Sequence, residues 1–211
     1  MHTIVCKEVS PKENYFLLTS LVVPRPIAWV STLSREGVAN LAPYSHFNNC
    51  SSDPPIVLFT SNGVKDTLVN IRESGEFVIN VVSHHLRHQM RITSAAWPHG
   101  VDEFEKAGLS TAKSRFVRPP RVAEARAAME CTLRQILPMG EGFVIFGDVQ
   151  CFHVAEDVMV DGRVMAERLQ PLGKLDGANY STVTTLERLE LPPEIASQVT
   201  DYGGSWAKGT R

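Results

Sequence analysis

From Met129 to Val154 the sequence runs with a period of two, and that pattern leaves few folds open. Met129, Cys131, Leu133, Gln135 and Leu137 face one way, and Glu130, Thr132, Arg134 and Ile136 the other. A turn-rich link, Pro138 to Gly142, leads into a second long run, Phe143 to Val154. Together they predict one long antiparallel hairpin.

Shorter extended runs precede it. Ile27 to Thr32 reads as a buried strand entered through Pro24-Arg25-Pro26, prolines suited to a strand entrance. Ser34 and Gly37 give the Leu33–Gly37 stretch its reversal, and Val38 to Pro43 returns as the partner strand. Ile56 to Thr60 and Phe77 to Val82 are two more. Between them Val64, Leu68 and Ile71 fall on one face of a helix stopped by Gly75. A second helix is expected from His84 to about Ala95, and a short turn at Asp102–Leu109 closes on Gly108. About six or seven strands joined by hairpins favour an antiparallel, mainly β barrel over a doubly wound sheet. Domain limits are expected at 1–185, with 186–211 a C-terminal helix and tail that could wrap a partner subunit.

The charge balance narrows the function. With 21 basic and 23 acidic residues the net charge is −2, which gives no generic grip on nucleic acid or an anionic membrane. No apolar run approaches a membrane span and Met1 to Glu8 does not read as a secretory signal. Cys6, Cys50, Cys131 and Cys151 are scattered without a C-x-x-C pair, so a reduced, cytoplasmic setting is expected. G-x-G-x-x-G, a P-loop and G-x-S-x-G are all missing from the sequence.

Two segments can hold a ligand. Ser61-Asn62-Gly63 opens a helix at Val64-Lys65-Asp66-Thr67, where free N–H groups, the Lys65 charge and the Thr67 hydroxyl suit a phosphate. Plain capping by Ser61 or Asn62 explains the same residues. Asn40-Leu41-Ala42-Pro43-Tyr44-Ser45-His46-Phe47-Asn48-Asn49 carries edge donors and apolar surface for a flat heteroaromatic ring, or is an ordinary polar loop. His84 and His88 share a helix face, but nothing completes a metal shell, so no metal is expected. His153, between Phe152 and Val154, is the histidine whose ring could reach a cofactor; Arg25 is a candidate nucleotide contact.

The ordered set resembles a known family. Arg25-Pro26-Ile27-Ala28-Trp29-Val30-Ser31-Thr32, Gly37, Asn40 to Ser45, Phe47-Asn48 and Pro54-Pro55 are followed by Lys65-Asp66-Thr67, Asn70-Ile71 and Gly75-Glu76-Phe77-Val78-Ile79-Asn80. Asp102-Glu103-Phe104, Ala107-Gly108-Leu109, Phe146-Gly147-Asp148-Val149 and His153 continue it. These are similar to the flavin reductase-like, FMN-binding split-barrel family, over about residues 10 to 180. The resemblance implies FMN near a homodimer interface, its phosphate at Lys65 and Thr67 beside Asp66. Its ring would lie along Asn40, Leu41, Ala42, Ser45, His46, Phe47 and Asn48, with Ser31 and Thr32 adjacent and His153 as catalytic candidate.

It also implies flavin reduction by NADH or NADPH, alone or as the reductase half of a two-component monooxygenase with a partner oxygenase. FAD in place of FMN stays open, as does a non-catalytic electron-transfer flavoprotein. A barrel holding haem or a deazaflavin is the more remote reading.

Overall fold

The computed structural model describes residues 1–198. Seven strands form one antiparallel sheet: β1 (Ala28–Leu33), β2 (Ala39–Tyr44), β3 (Phe47–Ser52), β4 (Pro55–Asn62), β5 (Glu76–Val81), β6 (Ala127–Met139) and β7 (Gly142–Val154). Their order is β2-β1-β5-β6-β7-β4-β3. The two edges, β2 and β3, are consecutive in sequence and separated only by Ser45 and His46. Three Cα steps span at most about 11 Å, so the sheet must curl until its edges nearly meet. They are not hydrogen-bonded to each other. The result is a split barrel, with an open seam where a closed one would have a ladder.

The barrel encloses Phe59, Phe77, Ile79 and Ile145, all fully buried, with Leu68 and Ile71 from helix α2 (Asp66–Ser74) plugging one end. Each such side chain contributes about 1.5–3 kcal/mol on burial. Phe59 anchors the stack, 4.9 Å from Tyr44 and 5.7 Å from Phe77 between ring centres. Gly147 on β7 lies directly against Phe77, where a side chain would collide. Gly75 closes α2 in the left-handed conformation, φ +70°, as its position in the sequence predicts.

The alternation along β6 does not persist. Gly147 pairs Leu133 while Phe146 pairs Gln135, so Arg134 is a bulge. Before it Met129, Cys131 and Leu133 face the core; after it Ile136 does, since one extra residue exchanges the faces. Pro138 and Met139 still belong to β6, which narrows the turn to Gly140 and Glu141. Val64 precedes α2 and is exposed. The expected His84 helix splits into a single 3-10 turn, His84–Leu86, and α3 (Arg87–Thr93). The expected loop Asn40–Asn49 is mostly β2 and β3.

Helix α1 (Pro11–Leu21) was not foreseen, though Ser10 and Glu13 form a capping box ahead of it. Helix α4 (Glu103–Ala107) starts on the Asp102 carboxylate and ends on Gly108. A small sheet of Arg25–Pro26, Leu172–Lys174 and Tyr180–Thr182 flanks the barrel. Of the expected tail, Pro193–Ala196 is a single helical turn; Gly203, Gly204 and Trp206 lie outside the described residues. Among the described residues no helix is long and apolar enough to cross a membrane.

Candidate functional site

The start of α2 faces strand β2 across a cleft of about 340 Å³. Lys65 is extended there, φ −131° and ψ 167°, and its side chain makes no capping bond. The first-turn N–H groups are therefore left for a ligand or solvent. Its ammonium lies 6.0 Å from the centre of the Tyr44 ring. Asn40, Ala42 and Tyr44 form the β2 wall, the Ser94–Trp97 segment the opposite one, and Glu103 and His99 the remaining side.

A buried hydrogen-bond network fixes this wall. Thr67 Oγ1 donates to Asn40 Oδ1 at 2.7 Å, and Thr32 Oγ1 approaches the same oxygen at 3.3 Å. Asn70 Nδ2 donates to Thr32 Oγ1 at 3.0 Å. Asn40 Nδ2 donates to both Glu103 oxygens at 3.0 Å, and the Leu41 amide to Oε2 at 2.9 Å. Burial pushes the Glu103 carboxyl above its ordinary range, partly opposed by the Leu41 amide and Asn40. Thr67 is thus spent on Asn40: its proton is committed, and only its lone pairs face elsewhere.

At the mouth, His99 Nδ1 sits 2.8 Å from Asp66 Oδ1. That hydrogen bond and the Asp66 charge raise the His99 pKa above the usual histidine value. The pair ties the segment after Trp97 to the first turn of α2.

Asn40, Ala42, Lys65, Asp66 and Thr67 therefore share one cleft. Ser45 lines a neighbouring cleft of about 330 Å³, which meets the first at Pro43 and Ser94. Thr32 and Leu41 support the wall from behind. Ser31 is buried in the sheet, donating to Pro120 O at 2.5 Å. Phe47 packs on the barrel core and Asn48 is exposed on edge strand β3. His46 occupies the β2–β3 link, its pKa lowered by burial and by Arg25. None of the last four lines either cleft.

His153 lies elsewhere, on β7. Its Nε2 is 2.6 Å from Glu130 Oε1, and Cys151 Sγ is 3.5 Å from the same nitrogen. Glu130 is fully buried and already accepts from the amides of Arg115, Phe116 and Val117, at 2.7, 2.6 and 3.3 Å. Burial pushes its carboxyl up, but the Arg115 and Phe116 amides and His153 outweigh that and hold it below the ordinary range. Glu130, Cys151 and His153 bring three donor atoms within 4.8 Å of one another, yet the carboxylate is occupied by N–H groups. Sequence reasoning gave no site role to Glu103, Asn70, His99 or the Ser94–Trp97 wall. Asp102 announced the helix start, but nothing in the sequence marks its neighbour Glu103 as buried.

Comparison with known proteins identifies the family. Residues 20–169 match the flavin reductase like domain. An uncharacterised protein of Aquifex aeolicus is 41% identical over 183 residues, spanning 83% of this chain and 93% of its own. The crystal structure of nitrilotriacetate monooxygenase component B from Bacillus cereus superposes with a TM-score of 0.88 at 36% identity, covering 90% of this chain and 98% of that one. That of Pseudomonas fluorescens 2-nitrobenzoate 2-nitroreductase gives 0.85 at 33% identity, covering 91% and 97%.

Proposed function

Because the chain belongs to the flavin reductase like domain family, we propose that it is an NAD(P)H-dependent flavin reductase holding FMN in the cleft at the start of α2. The observation that carries this reading is the conjunction there of an uncapped helix start and a lysine with no ion-pair partner among the described residues, beside a strand wall locked by Thr67, Asn40 and Glu103. A phosphate fits the donor set: first-turn N–H groups and the helix dipole attract an anion, and Lys65 supplies a full charge. A flat ring fits the wall of Ala42, Pro43 and Tyr44.

Bound FMN would supply the hydride-accepting chemistry. The chain's own part is to bind, orient and shield. Asn40, held by three partners, cannot turn, so the wall it presents is preorganised. Trp97 and Pro43 limit water on the ring side. Such a reaction needs no protein acid or base, which agrees with a wall whose Asn40, Thr67 and Glu103 side chains are committed to one another.

The open seam between β2 and β3 leaves sheet edges that a second copy would cover, so the functional form is a homodimer. His153 lines neither cleft of its own chain, so a catalytic role for it rests on that second copy. The setting is cytoplasmic, and a partner oxygenase is the acceptor if the chain is a reductase component. Nitrilotriacetate monooxygenase component B, by its name, is one component of an oxygenase system.

The test is an absorption spectrum with FMN, followed by NADH or NADPH under anaerobic conditions. Flavin bands that bleach within seconds support a reductase. Bands that persist with both donors refute the enzyme reading in favour of an electron-transfer module. No flavin binding at all refutes the site.

A further inference from the structure

Beyond Pro43 the groove changes character. The neighbouring cleft of about 330 Å³ meets a third, of about 320 Å³, at Arg91, Ala178 and Tyr180. The three therefore adjoin in a row, with Lys65 at one end and His84, Arg87 and His88 at the other. Lys174 and Arg91 stand in the middle. Among the described residues no Asp or Glu lines the second or third cleft.

The charge is unbalanced below the surface as well. Arg25 is only 6% exposed, and its guanidinium donates to the carbonyls of Thr19, Val22 and Leu175, with Nε unpartnered. It has no carboxylate partner among the described residues. Burial, then Arg25 and Arg91, push the Lys174 ammonium below the ordinary lysine range. Asp176 acts the other way on Lys174, but its carboxylate accepts from Asn179 Nδ2 at 3.0 Å. Among the described residues Arg91 and Arg87 reach only neutral groups, Ser94 Oγ at 2.7 Å and His84 O at 3.1 Å. A concave, cationic surface with no carboxylate in its described lining is suited to a polyanion.

Its direction identifies which polyanion. With a flavin phosphate at Lys65 and the ring along Ala42 to Ser45, the cationic half lies beyond the ring. The adenylate of a dinucleotide flavin would leave from the phosphate end, away from it. A nicotinamide stacked on the ring would run its diphosphate and adenosine into it. Resting on the flavin reading above, we infer that this groove binds the adenosine end of the nicotinamide donor, and that Arg87, flanked by His84 and His88, selects the form with a 2′-phosphate. Arg87 and Arg91 are one turn apart on α3, about 6 Å along the axis, and both face the groove. Arg91 serves the diphosphate with Lys174, whose ammonium lies 4.2 Å from the Tyr180 ring centre and donates to the carbonyls of Gly177 and Asn179, both neutral; Arg87 serves the extra phosphate; Leu172 and Ala178 give the base an apolar wall.

The test uses adenosine 2′,5′-bisphosphate and 5′-AMP as probes, titrated calorimetrically into wild type, Arg87→Ala and His88→Ala, with FMN titrated in parallel. The bisphosphate should bind wild type at least about tenfold tighter than AMP. Arg87→Ala should erase that difference while leaving AMP and FMN affinities in place, and His88→Ala should reduce it. Under turnover, the NADPH over NADH preference in kcat/KM should fall with it. Equal binding of the two probes, an undiminished difference in Arg87→Ala, or competition of the bisphosphate with FMN would each overturn the inference. The probe titrations need no flavin, so a failure of FMN to bind would refute the proposed function separately.

Discussion

Lys65→Ala separates a phosphate cradle from a merely capped helix. Lys65 is exposed, its side chain makes no capping bond, and its ammonium stands 6.0 Å from the Tyr44 ring. Removing it should leave stability within about 0.5 kcal/mol, as for other surface substitutions. A charge-assisted hydrogen bond to phosphate is worth about 1.5–3 kcal/mol. At an exposed helix start screening favours the lower end, about 1.5–2 kcal/mol, or roughly ten- to thirtyfold in Kd. Titration of flavin fluorescence reads this directly, with riboflavin, which lacks the phosphate, as control. FMN affinity should fall by that factor, steepen less with salt, and approach that of riboflavin, whose own affinity should not move. An FMN Kd changed less than about threefold, or an equal loss for riboflavin, refutes the placement of the phosphate.

Three other outcomes follow from the packing and the charges. Glu103→Ala strands the Leu41 amide and the Asn40 amide group in a buried wall; at about 1–3 kcal/mol each, less the relief of an ill-solvated carboxylate, it should cost about 2–4 kcal/mol in urea denaturation. A loss under about 0.5 kcal/mol would show the network to be dispensable. Gly147→Ala places a methyl against Phe77, 3.0 Å from Cε1 and closer still to Cζ, and should cost about 1–3 kcal/mol, recovered in part by Phe77→Leu. Strict additivity of the two changes would contradict the clash. The His99 pKa is raised in the folded state, so the Asp66 contact contributes fully below the unfolded value, about 6.5, and is lost as pH rises through the higher folded one. The stability difference between wild type and His99→Gln should therefore shrink on going from about pH 6 to about pH 8; a constant difference refutes the pair.

The barrel was legible because period-two patterning and turn residues are local signals. Ile27–Thr32, Val38–Pro43 and Phe77–Val82 each fall within a residue of an observed strand. The bulge at Arg134 was not legible, since no residue type announces an extra position; only the partner strand's register does. Lys65 and Asn40 were readable as polar residues near a helix start and a strand. Their meeting through Thr67 was not, because it joins residues 27 apart in sequence. It also amends an expectation: Thr67 does not hold its hydroxyl proton free for a phosphate, so Thr67→Ala would loosen the wall as well as the ligand. Glu103, 62 residues from the Leu41 amide it accepts from, was read only as part of a short helical turn and of the family's motif, with no role at the site. Helix α1 was within reach of the capping-box rule and was overlooked.

The grip of Glu130 on the 115–117 segment bears on how this surface can change. The carboxylate holds Arg115, Phe116 and Val117 by their main-chain amides, and every residue except proline offers one. At Arg115 and Phe116 the fold thus holds the main chain and leaves the side chain open, while Val117 packs inward against Val78 and Ala128. The exposed side chains of Arg115 and Phe116 can vary at little cost to folding, while the acid behind them cannot. Such a division lets the outward side chains at these two positions change while the segment keeps its path.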